Sequence, residues 1–327
     1  MILVTGGAGF IGSNLIAALE ARGVEVALCD RLGESEKWKN VAKRRLAAFV
    51  EPDGLLAYLD RHAGRIEAIF HLGAISATTE RDADLILRTN FTLSLELWDW
   101  CARHGVRLIY ASSAAVYGDG SAGFDDDMSA EALAKLRPMN PYGWSKLLFD
   151  RRATQLAAEG AERPPQWAGL RFFNVYGPNE YHKGSMRSVV EQVHGRVAAG
   201  EPAVLFRSHN PRYPDGGQLR DFIWVGDCVS VMLWLLDRPA ASGLFNLGTG
   251  KARSFADLAR AVFAALGKPP EIRYVDTPVE IRDRYQYFTE ARMARLRAAG
   301  YDAAFTELED GVARYVKDYL ARPDRYL

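Results

Sequence analysis

The sequence is poor in cysteine. Its 327 residues hold three, Cys29, Cys101 and Cys228, scattered without the spacing of metal ligands or of a disulfide framework. Buried free thiols and no metal site are therefore expected. Charge of one sign is also lacking: 41 Lys and Arg balance 41 Asp and Glu, for a formal net charge of zero. That balance argues against nucleic acid or an anionic membrane surface as the main partner. No apolar run is long enough to cross a bilayer. A strand-like run starts at residue 2, which leaves no room for a leader, so a cytoplasmic location is expected. Internal repeats and low-complexity segments are absent as well.

What is present alternates. Strand-like runs at Ile2–Thr5, Glu25–Cys29, Ala68–His71, Arg107–Ala111, Gly169–Phe173 and Gly243–Leu247 are separated by helix-like stretches. This pattern predicts an α/β fold with a doubly wound, mostly parallel sheet. Motif-like segments cluster at strand ends: Gly6–Gly12, His71–Ser76, Ser112–Tyr117 and Asn174–Pro178. The carboxyl edge of such a sheet is where ligands bind. Beyond Pro178 the pattern becomes irregular, and 209–217 reads as a loop. Helices are expected over 255–266, 289–299 and 306–320, with a strand over 271–275. The reading is a Rossmann-type domain of 1–173 plus about 223–250, and a smaller α/β substrate lobe of 174–222 plus about 251–327.

The first strand runs into Gly6-Gly7-Ala8-Gly9-Phe10-Ile11-Gly12, and a helix pattern follows. Glycines here permit a tight turn and let backbone N–H groups approach a pyrophosphate at a helix N-terminus. Asp30 closes the next strand about 20 residues on, where a ribose-binding acid belongs. Asp30 alone favours NAD. Arg31, Lys37 and Lys39 add cations suited to a 2′-phosphate, so NADP and NAD both stay open.

Tyr142 and Lys146 stand four apart and share a face if helical. A free tyrosine titrates near ~10, and a nearby cation favours its phenolate. Upstream, Ser112 and Ser113 place hydroxyls at a strand end. Lys183 lies in a separate run, His182-Lys183-Gly184-Ser185-Met186. Two proton-handling groups approaching one substrate from opposite sides suit inversion of a carbon centre, which a simple dehydrogenase does not require. Without other context, Lys183 also fits a phosphate-binding or solvated loop lysine. Arg220 suits a pyrophosphate, or a salt bridge to Asp221 or Asp227. His71 reads as packed at its strand end, and Trp98 and Trp100 as core or subunit contact.

Across nearly its whole length the chain resembles the extended short-chain dehydrogenase/reductase family. The resemblance rests on Gly6–Gly12, Ser112–Tyr117, Tyr142–Lys146, Asn174–Pro178, Arg220–Phe222 and Asn246–Gly250. Members act on nucleotide-linked sugars. Within the family it is most similar to the branch that epimerises an ADP-linked heptose at C6, through Phe70–Glu80, Tyr142–Asp150, Arg171–Met186, Arg284–Thr289 and Leu296–Tyr301. The 182–186 run is the discriminating piece.

The resemblance implies transient oxidation at C6 by bound NADP and return of hydride to the opposite face, for lipopolysaccharide core heptose supply. It implies Tyr142 and Lys183 as acid/base groups, Ser113 as orienter and Lys146 as support for Tyr142 and the cofactor. It further implies dinucleotide contacts from Gly6, Gly9, Phe10, Ile11, Gly12, Asp30, Arg31, Lys37, Leu72, Gly73, Ala74, Ile75, Ser76, Asn90, Lys146 and Val175. Substrate contacts would come from Asn174, Ser185, Gln192, Phe206, Arg207, Ser208, Arg220 and Tyr285. The implied partners are ADP-heptose and a second copy of the chain in a homo-oligomer.

Three departures stand out. The 209–219 loop looks longer than usual and bears on base preference. Gln192 replaces a usual histidine, and Arg31 a smaller polar residue. Dehydratases carry an Asp-Glu pair where Ala114-Ala115 stands, so dehydration is not expected. Another nucleotide-sugar epimerase remains an alternative, as does an inert nucleotide-binding regulator.

Overall fold

The structure, a computed structural model, describes residues 1–282 and 285–327. Its centre is a seven-stranded parallel sheet. The strands are β1 (Ile2–Thr5), β2 (Val26–Cys29), β3 (Ala48–Val50), β4 (Ala68–His71), β5 (Arg107–Ser113), β6 (Trp167–Phe172) and β10 (Gly243–Leu247). Their spatial order is β10-β6-β5-β4-β1-β2-β3. The order reverses between β1 and β4, and a crevice opens there above the carboxyl ends of the strands. β1, β2, β4, β6 and β10 are buried along their whole length. Burial on both faces explains why they read as continuous apolar runs rather than alternating ones.

Two apolar layers flank the sheet. One gathers Leu3, Ile69, Leu108, Trp98, Trp100 and Phe149. The other gathers Val4, Leu15, Ile16, Leu19, Phe70 and Met232. Trp98 and Trp100 are 0% and 1% exposed, so both belong to the core. The cysteines are free and buried, as expected. Among the described residues no helix is long and apolar enough to cross a membrane, and no group of metal-ligating side chains is found.

A third apolar cluster lies over one end of the sheet, built on helices Val189–Ala198, Phe255–Ala265 and Leu308–Tyr315. Five short strands accompany it: β7 (Asn174–Tyr176), β8 (Ala203–Phe206), β9 (Leu219–Trp224), β11 (Ala252–Ser254) and β12 (Ile272–Val275). β7 and β11 flank β9, and β8 pairs with β12.

The helix expected over 289–299 is confined to Ala294–Ala298. Residues 289–292 instead commit polar groups to distant partners. The Thr289 hydroxyl accepts from Asp221 N–H, Ala291 N–H donates to the Asp221 carboxylate, and the Arg292 carbonyl accepts from the Asn246 side chain. These tertiary bonds outweigh helical propensity. β3, β7, β8, β9 and β11 were not expected from the sequence. The 209–217 loop is as expected, as are the 255–265 helix and the 272–275 strand.

Candidate functional site

The sequence places its motifs at strand ends, and the fold gathers those ends around one cleft of about 700 Å3. The glycine turn forms its floor. Gly6 has φ +65°, and a Cβ there would lie 2.5 Å from Gly73 N. A Cβ on Gly12 would lie 2.3 Å from the Gly6 carbonyl oxygen. The turn therefore admits glycine only. Helix Phe10–Ala21 starts at Gly9 without a side-chain cap and without an acid in its first turn. Its first N–H groups and dipole are left for an anion. Gly6, Gly9, Phe10, Ile11 and Gly12 all line the cleft. The cradle fits a dinucleotide pyrophosphate.

Asp30, 8% exposed, lies beside this turn. Its Oδ2 accepts from Ala8 N–H at 2.9 Å. Its Oδ1 accepts from Arg31 N–H at 2.7 Å and from Lys37 Nζ at 2.5 Å. Both oxygens are thus already engaged by the protein. The Arg31 guanidinium points outward to Asp53 at 2.5 Å, and Lys39 pairs with Glu36 at 2.5 Å. Lys37 lines the cleft and Arg31 stands outside it.

Leu72, Gly73, Ala74 and Ser76 form a lip that abuts the glycine turn at Gly73, and Val175 lines the cleft as well. Gly73 N–H donates to Thr5 Oγ1 at 3.1 Å. Ile75 and Asn90 do not line the cleft. Asn90 is 1% exposed and grips Ile75 twice, accepting from its N–H at 2.9 Å and donating to its carbonyl at 3.0 Å. His71 lies beneath, its ring nitrogens meeting Thr5 Oγ1 at 2.7 Å and Ser94 Oγ at 3.0 Å. Burial, with Lys146 adding to it, pushes the imidazole down to about 3. It packs as a neutral ring, as the sequence suggests.

Ser113, Tyr142, Lys146 and Lys183 line the same cleft. Tyr142 and Lys146 sit in helix Pro141–Ala158. Asn140 caps that helix by accepting from Gly143 N–H, and Pro141 occupies its first position. Burial raises the Tyr142 phenol above its ordinary value, and the Ser113 hydroxyl opposes that rise. Burial lowers the Lys146 ammonium to about 8, with Asp150 opposing.

Lys183 comes from a short 3₁₀ segment after β7, Tyr181–Met186, which is kinked at Gly184. Its Nζ lies 5.5 Å from the centre of the Phe10 ring. Burial lowers its proton affinity below the usual lysine range, and Glu180 opposes that. The cleft therefore holds a phenol and an amine on different elements, each shifted toward neutral pH or away from it by desolvation.

At the outer end, Asn174 and Arg220 line the cleft. Arg220 is 9% exposed and stands 5.6 Å from the Phe255 ring and 5.5 Å from the Tyr285 ring. It donates to the Leu219 and Gln286 carbonyls. No carboxylate among the described residues pairs with it. Asp221 is taken by Thr249, Gly250 and Ala291, and Asp227 by Thr306. The salt-bridge alternative for Arg220 is not what the structure contains.

Ser185, Gln192, Phe206, Arg207, Ser208 and Tyr285 are not part of the cleft wall. Ser185 is exposed near the loop tip. Gln192 donates to the Arg187 carbonyl at 2.8 Å. Phe206 and Tyr285 meet edge to face at 6.1 Å behind Arg220. Arg207 faces Asp276 at 3.5 Å, and the Ser208 hydroxyl caps its own loop at the Asn210 carbonyl. The long loop is held by Tyr213, whose ring packs at a tilt on Tyr287 with centres 5.3 Å apart. Arg284 lies outside the described residues.

Sequence reasoning missed several participants. Asp150 and Arg171 form a fully buried pair at 3.0 Å behind Lys146. Tyr110, Ser112 and Tyr117 complete that network. A charge inside the apolar run Gly169–Phe173 was the available signal. Asn40, 1% exposed, donates to the Ala8 carbonyl at 2.9 Å and the Asn179 carbonyl at 3.0 Å, and meets His182 Nδ1 at 3.2 Å. Nothing local marks it. His182, Phe255 and Gln286 also line the cleft.

Comparison with known proteins agrees with this layout. Residues 2–248 match the NAD dependent epimerase/dehydratase family. A protein of Nitratidesulfovibrio vulgaris strain Hildenborough named ADP-L-glycero-D-manno-heptose-6-epimerase is 50% identical over 331 residues, covering 100% of both chains. One of the same name from Fusobacterium nucleatum is 44% identical over 336 residues, again covering 100% of both. The crystal structure of the Helicobacter pylori protein of that name superposes with a TM-score of 0.80 at 27% identity, covering 98% of this chain and 96% of that one. A Thermus thermophilus UDP-glucose 4-epimerase solved with NAD gives a TM-score of 0.71 at 27% identity, covering 96% and 97%.

Proposed function

The chain belongs to the NAD dependent epimerase/dehydratase family, and from that membership we propose that it is an ADP-L-glycero-D-manno-heptose 6-epimerase. It is an isomerase that interconverts ADP-D-glycero- and ADP-L-glycero-D-manno-heptose. The observation that carries this reading is that Tyr142 and Lys183, from different elements, line one cleft with Ser113.

Bound at the glycine turn, NADP supplies a hydride acceptor that is restored within each turnover, so no net redox change results. The chain's own residues do the rest. Tyr142 Oη exchanges a proton with the C6 oxygen on one side, and Lys183 Nζ does so on the other. The Ser113 hydroxyl orients that oxygen. Lys146, charged below about 8, supports Tyr142 and the cofactor ribose. Arg220 takes the substrate pyrophosphate, because a buried guanidinium that no carboxylate among the described residues pairs suits a bidentate anion. Asn174, Ser185, Gln192, Phe206, Arg207, Ser208 and Tyr285 complete the substrate site in this proposal.

NADP is preferred over NAD. The Asp30 oxygens are already engaged by Lys37 and two backbone N–H groups, so a free 2′-hydroxyl finds little capacity there. Lys37, which lines the cleft beside Asp30, offers a cation to a 2′-phosphate instead, and Arg31 joins it by turning from Asp53. Ile75 and Asn90 act from behind by holding the 72–76 lip. The proposed division is a dinucleotide domain of 1–173 with about 223–250, and a substrate lobe of 174–222 with about 251–327. Self-association belongs to the same proposal, supported by the exposed Trp144 indole on the 141–158 helix. Three free, buried cysteines fit a reducing cytoplasm.

The test is to incubate purified protein with ADP-D-glycero-D-manno-heptose, without added cofactor, and follow the L-glycero isomer. No conversion alongside turnover of a UDP-hexose overturns the substrate. The mass of the dinucleotide released on denaturation decides between NADP and NAD.

A further inference from the structure

The loop that carries Lys183 is closed at its base by a buried carboxylate. Glu180 is 0% exposed. Its Oε1 accepts from Ser188 Oγ at 2.6 Å and its Oε2 from Ser188 N–H at 2.5 Å. Ser188 is also the N-cap of helix Val189–Ala198. Residues 181–187 thus run out from Glu180 and return to a helix start bonded to it. Inside the loop, Lys183 N–H donates to the Glu180 carbonyl at 3.0 Å. Gly184 turns the chain with φ +56°, and Arg187 Nε donates back to the Gly184 carbonyl at 2.7 Å.

A buried carboxylate met by neutral donors is costly. Burial pushes the Glu180 carboxyl up and the Lys183 ammonium down, and against that each favours the charged form of the other. Other charged and titratable groups around the loop are engaged elsewhere. Arg187 pairs with Glu191 at 2.7 Å, and His182 meets Asn40 and faces Lys37 and Asp30; the buried Tyr315 phenol is the exception, lying against Glu180 and also favouring its charged form.

We propose that Glu180 is a positioning residue for Lys183: its carboxylate clasps the 181–187 segment onto Ser188, its carbonyl holds the Lys183 N–H, and its charge favours the Lys183 ammonium. This rests on Lys183 being one of the two proton-handling groups. Removing the charge at 180 weakens Lys183 as a proton acceptor, while removing the Ser188 hydroxyl loosens the loop without touching that charge.

The test uses the full chain with its dinucleotide, in three variants. Lys183→Met is the reference and is expected to abolish epimerisation. Glu180→Gln is expected to lower kcat about tenfold, with a smaller change in KM, and to move one limb of the pH–rate profile to lower pH. Ser188→Ala is expected to lower kcat by a few-fold, on the order of one neutral hydrogen bond, with the profile in place. Dinucleotide content and the thermal midpoint are measured alongside. An inactive Lys183→Met with a folded Glu180→Gln of wild-type kcat and profile sinks the proposal and leaves the role of Lys183 standing. An active Lys183→Met removes both. If Glu180→Gln does not fold, an unchanged kcat in Ser188→Ala overturns the clasp.

Discussion

Tyr142 and Lys183 face one cleft but are held there by different means. Tyr142 stands in the first turn of an 18-residue helix. One turn beyond Lys146, Asp150 locks that helix to β5 and β6 through Ser112, Tyr110 and Arg171. All of these partners are on interior strands of the main sheet. Lys183 stands in a short loop fastened at its own base by Glu180 and Ser188, and at its flank by His182 and Asn40. The first group is therefore placed by the global fold, and the second by a local closure. Mutations that disturb the sheet network should cost stability before chemistry. Those in the loop should cost chemistry before stability.

Four experiments bear on that comparison. Tyr142→Phe and Lys183→Met should each lower kcat by about 10²–10⁴-fold while the dinucleotide stays bound, as expected for loss of one acid/base group. Steady-state rates with bound-cofactor content check this, and a normal rate in either variant breaks the two-sided reading. Arg171→Met leaves Asp150 buried and unpaired, so denaturant unfolding should show a loss of about 3–5 kcal/mol. An unchanged midpoint would mean that the sheet network does not anchor the Tyr142 helix.

Arg220→Met should raise KM roughly tenfold to a hundredfold with a smaller change in kcat, the scale of a charge-assisted hydrogen bond of about 1.5–3 kcal/mol. A kcat defect with normal KM would move Arg220 from substrate holding to chemistry. The smallest effect concerns acid stability. His71 is pushed down to about 3 and His182 to about 4, both chiefly by burial. As pH falls, the unfolded chain takes up protons near the ordinary histidine value, ahead of the folded one. The stability linked to neutral His71 is thus full above about 6.5 and lost as pH falls toward 3, by up to about 1.4 kcal/mol per pH unit. His71→Gln should flatten that slope, and His182→Gln should flatten it less, since its window closes near 4. Equal flattening would erase the distinction between core and cleft wall.

The sheet was legible in the sequence because its central strands lie buried on both faces, and continuous apolar runs ended by glycine or a polar residue mark such strands. β3 at the edge and the short strands β7, β8, β9 and β11 carry no such signature. Thr289–Arg292 has a helical composition but spends its hydrogen-bonding groups on Asp221 and Asn246. The cleft residues contributed by Gly6–Gly12, Ser113, Tyr142 and Lys146 were legible because each sits at a strand end or in a fixed spacing. Asn40 was not, because its meaning comes from Asn179, 139 positions away. Glu180 is only eight residues from Ser188, yet nothing in either residue announces that they close a loop.

That closure makes an exchangeable cassette within residues 181–187. Its two ends are bonded to each other, so residues 183–187 can change in length or chemistry while Tyr181 keeps its place in the apolar cluster and His182 its contact with Asn40 beside the dinucleotide turn. If Lys183 has the proposed role, divergence between catalysts with one proton-handling side chain and catalysts with two is a matter of replacing a single short segment. A protein engineer would graft at the same two joints.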